Sequence, residues 1–444
     1  VENTAVDIAS AVRAGTLTAR AAAEAALARI DASQPSTNAW QVIRSDAALA
    51  EADALDARPD RADLPLAGVP VAIKDNVTVA GESYREGTLA TDPAPQPVDD
   101  ESVRRLRDAG AVVVGITRIP EMCIWGATDS AAFGVTRNPW DLDRTPGGSS
   151  GGSAAALAAG DVPIAHGSDG MGSIRIPSAA CGLVGLKPGR GVVPINPPDW
   201  NGMSSHGPMA TTVADAALML GVLAGDPSYG TVTEPGRLRI AVSLKAPAAG
   251  TPVAAAWKEG VRRTAAALAG EHEIVERTPR YPASLMTTTA LQLWTTGVAE
   301  CADLLRDESA LERRNKTHIG IGRELAKRGF PRSGGRELWR TRATEFFGNV
   351  DVLMTPTLAQ PPIKARKWSH TTWLTTLIAN ARYAPFAAPW NIIGWPAMSV
   401  PTGLDEAGRP TGVQLVGTPG SEKVLLALAA QIERVQPWQR TATL

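Results

Sequence analysis

The segment ESVRRLRDAGAVVVGITR, residues 101–118, constrains the fold more than any other stretch of the chain. It reads as a helix that stops at Gly110, followed at once by an apolar run from Ala111 to Gly115. Such a run has no polar face, so it predicts a strand buried on both sides of its sheet. LAGVPVAIKDNV repeats the pattern. Its apolar run, Val69–Ile73, predicts a second buried strand that delivers Lys74, Asp75 and Asn76 at its C-terminal end. Helix–strand units of this kind predict an α/β fold.

The remaining segments fit that class. TAVDIASAVRAG places Val6, Ile8, Ala9 and Val12 on one helical face and stops at Gly15. Thr18 is the predicted N-cap of the alanine-rich helix ARAAAEAALARID. DVPIAH, LRIAVSL, VDVLMTPTLAQPP, PWNIIGWPAMSVPTG and TGVQLVG predict strands; SAAALAAG and MATTVADAALMLGVLAG predict helices. Residues 121–143 show no period and predict a long loop. A mainly helical region is expected over about 251–385, in which the basic stretch Glu312–Gly329 reads as a solvated face. No repeat and no composition break marks a linker, so residues 1–444 are expected to form a single domain.

Composition removes several function classes. With 20% charged residues and a formal net charge of −1, no long-range field points to nucleic acid or an anionic membrane. The three cysteines, Cys123, Cys181 and Cys301, are far apart and odd in number. They are expected to be reduced, buried thiols of a cytoplasmic protein, neither a disulfide framework nor a metal site. No run of about 18 apolar residues predicts a transmembrane helix. The chain starts at Val1, which leaves a removed leader open. No cofactor is expected.

Chemistry concentrates at three places: Lys74, the pair Ser149/Ser150 in TPGGSSGGSAAALAAG, and Ser173 in GSDGMGSIRIP. Each alone has an ordinary explanation: a solvated lysine, a Gly/Ser turn or linker, a helix N-cap. Residues 147–151 also spell G-x-S-x-G, which opens an α/β-hydrolase-type esterase reading with Ser149 as nucleophile. That reading needs a strand before the loop, where Pro146 stands, and a histidine partner, which no context singles out among five.

Taken in order, GVPVAIKDN, TRNPWD, TPGGSSGGSAAALAAG, GSDGMGSIRIPSAACGLVGLKPGRG, HGPMATTVADAALML and NIIGWPAMSVPTG closely resemble the amidase signature family, across about residues 69–417. The resemblance implies a large mixed β-sheet covered by helices on both faces. It implies a Ser–cis-Ser–Lys triad: Ser173 as nucleophile, Ser149 as bridging serine beside a cis peptide, and Lys74 as base. The backbone N–H groups of Gly170, Met171, Gly172 and Ser173 would form the oxyanion hole, with Ser150, Asp169 and Arg175 in support. The residue types suit this chemistry. A serine hydroxyl needs a base to take its proton, and lysine serves only when burial lowers a pKa that is ordinarily near 10.4. Met171 departs from the family's usual glycine, and Thr211 and Gly189 depart from its usual arginine and threonine.

The resemblance implies hydrolysis of a small-molecule carboxylic amide, and a monomer or homodimer is expected. Two other readings stay open: a subunit that releases ammonia from glutamine for amide transfer with a partner, and a family member without catalysis. An apolar or aryl-accepting substrate pocket is expected from Met122, Trp125, Trp390 and Trp395, with Trp368 and Trp373 as further candidates.

Overall fold

Every side chain of Pro70–Lys74 (β2) and Val112–Thr117 (β3) is buried, as strands without a polar face require. The computed structural model describes residues 4–248 and 250–444, so Val1 lies outside the described residues. The further strands are β1 (Trp40–Ile43), β4 (Asp129–Ser130), β5 (Gly134–Val135), β6 (Ile164–Asp169), β7 (Val184–Lys187), β8 (Ser205–Ala210), β9 (Arg239–Val242), β10 (Glu273–Glu276), β11 (Val352–Pro356), β12 (Ala397–Leu404) and β13 (Pro410–Val416). Eleven of them form one mixed sheet in the order β1-β3-β2-β6-β8-β7-β12-β13-β11-β9-β10; β4 and β5 pair separately.

Third from one edge, β2 runs parallel to both β3 and β6. The carboxyl ends of β2 and β6 therefore lie together, which is where open α/β sheets gather their chemistry. Val71 pairs with Ile164 and Ala72 with Ala165. Continuing that register carries Lys74 to the level of residues 167–168. The helix Gly151–Ala158 has all its residues buried and lies against this part of the sheet. A Cβ on its Gly152 would run into the backbone of Arg118 and Ala39, so small residues here allow backbone-to-backbone packing.

Thr18 caps the helix Ala19–Thr37, its Oγ1 accepting from the N–H of Ala21 at 3.0 Å. Two expectations change. PWNII is not strand: Ala388–Ile393 is a helix that ends at Gly394 with φ +71°, and the strand begins only at Ala397. An uninterrupted apolar run cannot by itself tell a buried helix turn from a buried strand. The basic helix Arg313–Lys327 is not solvated all round either, because Arg314, Asn315 and His318 are buried.

That helix belongs to a second hydrophobic cluster, built from Trp125, Trp294, Trp339, Trp390, Trp395, Phe346 and Phe347. At its edge lies a buried ionic group. Arg314 Nε donates to Glu312 at 2.7 Å, and its other arm reaches Asp129 at 3.4 Å. Glu121 accepts from Asn315 at 2.7 Å, from the N–H of Glu312 at 2.8 Å and from Thr88 at 2.7 Å. One arginine thus serves a neighbourhood of three carboxyls, and its second terminal nitrogen has no hydrogen-bond partner among the described residues.

Candidate active site

Lys74 ends β2 fully buried, and its Nζ reaches Ser149 Oγ at 2.7 Å, Ser168 Oγ at 2.7 Å and the carbonyl of Ser168 at 3.1 Å. Burial lowers its pKa, and the negative charge of Asp169 only partly opposes this. The peptide bond Gly148–Ser149 is cis. A Cβ on Gly148 would come within 2.7 Å of the carbonyl of Trp125 and 3.0 Å of the N–H of Ala127, so only glycine lets the two loops meet.

Ser149, Ser168 and Ser173 line one cavity of about 650 Å3. Of Lys74, Ser149 and Ser173, the first two are 0% exposed and Ser173 is 8% exposed, so among these Ser173 presents its surface to the cavity. Ser150 braces the loop: its N–H donates to the carbonyl of Ser173 at 3.2 Å, and its Oγ to that of Ser168 at 3.3 Å. No histidine hydrogen-bonds to Ser149 or Ser173 among the described residues. His206 lines the cavity but its Nδ1 is bonded to Ser102 at 2.9 Å.

Asp169 and Arg175 sit beneath the loop, both fully buried. Arg175 reaches Asp169 through Nε at 2.9 Å and a terminal nitrogen at 3.1 Å. It also donates to Ala387 O at 2.9 Å, Gln414 at 2.7 Å and Asn391 at 2.6 Å. Asn391 donates in turn to Asp169 Oδ1 at 2.8 Å. Burial alone would push the Asp169 carboxyl up, but Arg175 outweighs it and holds the group below the usual carboxylate range.

This network corrects one expectation. The N–H of Gly172 donates to Asp169 Oδ1 at 2.6 Å, so it is committed to the loop's anchor. The N–H groups of Gly170, Met171 and Ser173 are not tied to Asp169. A second correction concerns the pocket. Met122, Trp125, Trp390 and Trp395 are packed into the second hydrophobic cluster, and none lines the cavity. Large side chains with few polar atoms, the three tryptophans and the thioether of Met122 alike, lose the most apolar surface to water on burial, which places these four in the core. Trp200, Tyr84, Leu304 and Leu305 line the cavity instead.

Sequence reasoning missed Ser168, Asn391 and Gln414. Ser168 had a signal, because it stands near the end of a strand paired parallel to the one that carries Lys74. Cys123, expected to be an ordinary buried thiol, lies on the cavity wall against Ser149 and Lys74, and burial pushes its thiol pKa up.

Residues 21–426 match the family model described as Amidase. The chain belongs to the amidase family. It is 43% identical to the putative amidase AmiB2 of Mycobacterium tuberculosis over 437 residues, covering 96% of this chain and 94% of that one. It is 34% identical over 474 residues to an acylamidase of Rhodococcus erythropolis, with 98% and 95% covered. Among solved structures it superposes on 6-aminohexanoate cyclic dimer hydrolase in complex with substrate, with TM-score 0.85 and 29% identity over 99% of this chain and 98% of that chain. This amidase hydrolyses the C–N bond of a carboxylic amide. No helix among its described residues is long and apolar enough to cross a membrane.

Proposed function

We propose that the amidase cleaves its substrate through an acyl-enzyme on Ser173, with Ser149 and Lys74 as the proton relay. The observation that carries this reading is the 2.7 Å contact between Lys74 Nζ and Ser149 Oγ, in a buried site that favours the neutral amine. Ser173 Oγ attacks the amide carbonyl carbon. Its proton passes through Ser149 to Lys74, and the N–H groups of Gly170, Met171 and Ser173 receive the oxyanion. When the intermediate collapses, the C–N bond breaks and the proton returns through Ser149 to the leaving nitrogen. Water then attacks the ester carbon, gives its proton to the same relay, and releases a carboxylic acid and Ser173.

Linear or cyclic small-molecule amides fit a cavity walled by Trp200, Tyr84, Leu304 and Leu305. The similar proteins are named as amidases and hydrolases, which favours stand-alone hydrolysis over amide transfer with a partner subunit. A cytoplasmic enzyme, acting as monomer or homodimer without nucleic acid or cofactor, is the accompanying proposal. The test is labelling with a serine-reactive fluorophosphonate followed by mass spectrometry. An adduct on Ser173, absent in Ser173→Ala, is expected; full amidase activity in Ser173→Ala overturns the reading.

A further inference from the structure

Glu86 is a carboxylate on the cavity wall that the relay does not use. Its backbone is left-handed, with φ +54°, a conformation unfavourable to any residue with a Cβ. The surroundings hold it there. Buried Asp75 accepts from the N–H of Arg85 at 3.2 Å and of Gly87 at 3.0 Å, one on each side of Glu86. The carbonyl of Glu86 itself accepts from the N–H of Met122 at 2.9 Å. Gly87 has φ +68°, and a Cβ there would come within 2.9 Å of Ile119 O, so the turn has little freedom to move. An over-determined, unfavourable conformation that aims a side chain into a cavity points to function.

The other carboxylates around the cavity have partners. Asp92 faces Arg306 at 3.8 Å, and Asp99 faces Arg107 at 3.2 Å. Glu101 holds Arg104 at 2.8 Å and Arg105 at 2.7 Å, while Asp100 caps the N–H of Ser102 at 2.8 Å. Glu86 has only a hydrogen bond from the Tyr84 phenol, and forms no ion pair with an arginine or lysine among the described residues. Burial pushes its pKa up to about 7, and Tyr84 and Lys74 offset only part of that effect. Among the described residues, Arg306 is the one arginine on a wall that also holds Glu86, Asp92, Asp99, Asp100 and Glu101.

We propose that Glu86 selects the substrate by receiving a protonated amino group on it, so that the cavity favours amides with a cationic substituent over neutral and anionic ones. This rests on the reading of Ser173, Ser149 and Lys74 as the reacting centre of the same cavity. A cation there gains a charge-assisted bond in a shielded site, whereas a carboxylate meets like charge.

The test uses three matched anilides whose acyl chains of equal length end in an amine, a methyl or a carboxylate. For the wild-type enzyme, kcat/KM should be at least about tenfold higher for the amine than for the methyl chain, and lowest for the carboxylate. In Glu86→Gln the amine-to-methyl ratio should fall about tenfold, while Glu86→Asp keeps its direction. An unchanged ratio in Glu86→Gln, or a wild-type preference for the methyl or carboxylate chain, overturns the proposal. Inhibition of the wild type by alkylammonium and alkylcarboxylate ions reads the same selectivity without any variant, and stronger inhibition by the carboxylate also overturns it. Fluorophosphonate labelling, scored separately, reports on Ser173 whatever the order of chain preference.

Discussion

Two fully buried arginines anchor two regions of this amidase, and they are equipped differently. Arg175, under the serine loop, has its donors met by Asp169, Asn391, Gln414 and Ala387 O. Arg314, at the edge of the tryptophan-rich cluster, leaves one terminal nitrogen without a partner among the described residues and lies among three carboxyls. The carboxyls register the difference. Asp169 is held below its usual range by Arg175, against the cost of burial. Glu312 is pushed by burial up to about 7, and Asp129 and Glu121 are raised as well. A buried ion pair stabilises only when every donor and acceptor finds a partner. The first arrangement meets that condition and fixes a loop whose atoms must not move; the second does not, and its charge depends on pH.

Removing each arginine gives the largest effects. Arg175→Met should cost about 3–5 kcal/mol in denaturant unfolding and abolish fluorophosphonate labelling, since Asp169 is left charged and unpaired. Arg314→Met should cost about half as much at pH 6, because carboxyls with raised pKa values can take up protons, and more at pH 8. Equal costs for the two variants, independent of pH, would erase the distinction.

The pH dependence of stability sharpens it. Glu312 binds its proton more tightly folded than unfolded, so its contribution is full below pH 4.5 and is lost as pH rises toward about 7. The loss is on the order of 3 kcal/mol. Asp169 has the opposite sign: its stabilisation is present above the ordinary value of 3.8 and is lost only as pH falls through its depressed pKa. The stability of wild type relative to Glu312→Gln should therefore decline between pH 4.5 and 7; a flat or rising difference would contradict it.

The smallest effect belongs to Trp125→Phe, which removes the 2.7 Å bond from Trp125 Nε1 to Asn315. About 1 kcal/mol of stability should go, with activity largely kept, because the ring lies in the core and not on the cavity wall. A large rise in KM would return Trp125 to the substrate pocket.

The same contrast explains what could be read from the sequence. The serine loop depends on glycines, serines and a lysine at fixed offsets, so Lys74, Ser149 and Ser173 stood out together and the structure brings Lys74 to Ser149. The strands of the central sheet were legible because burial on both faces leaves runs such as Val112–Ile116 without a polar position. Asn391 and Gln414 were not legible, since they meet Arg175 from 216 and 239 residues away. The place of Trp125, Trp390 and Trp395 is not legible, because a side chain that is large and apolar suits a pocket wall and a core equally, and only packing decides. Arg314 looked like part of a solvated basic face for a similar reason: its buried acidic neighbours Glu121 and Asp129 come from a distant loop.

The most direct test of the relay is to identify the atom that carries the acyl group during turnover. Acid quenching of the enzyme with an excess of amide substrate, followed by peptide fragmentation, locates it. Because Ser149 and Ser173 fall within one tryptic peptide, residues 145–175, the fragment ions must assign the residue. Acylation of Ser173 in the wild type, strongly reduced in Lys74→Ala, is the predicted result. An acyl group on Ser149 or Cys123, or on no residue while product forms in a burst, would contradict it.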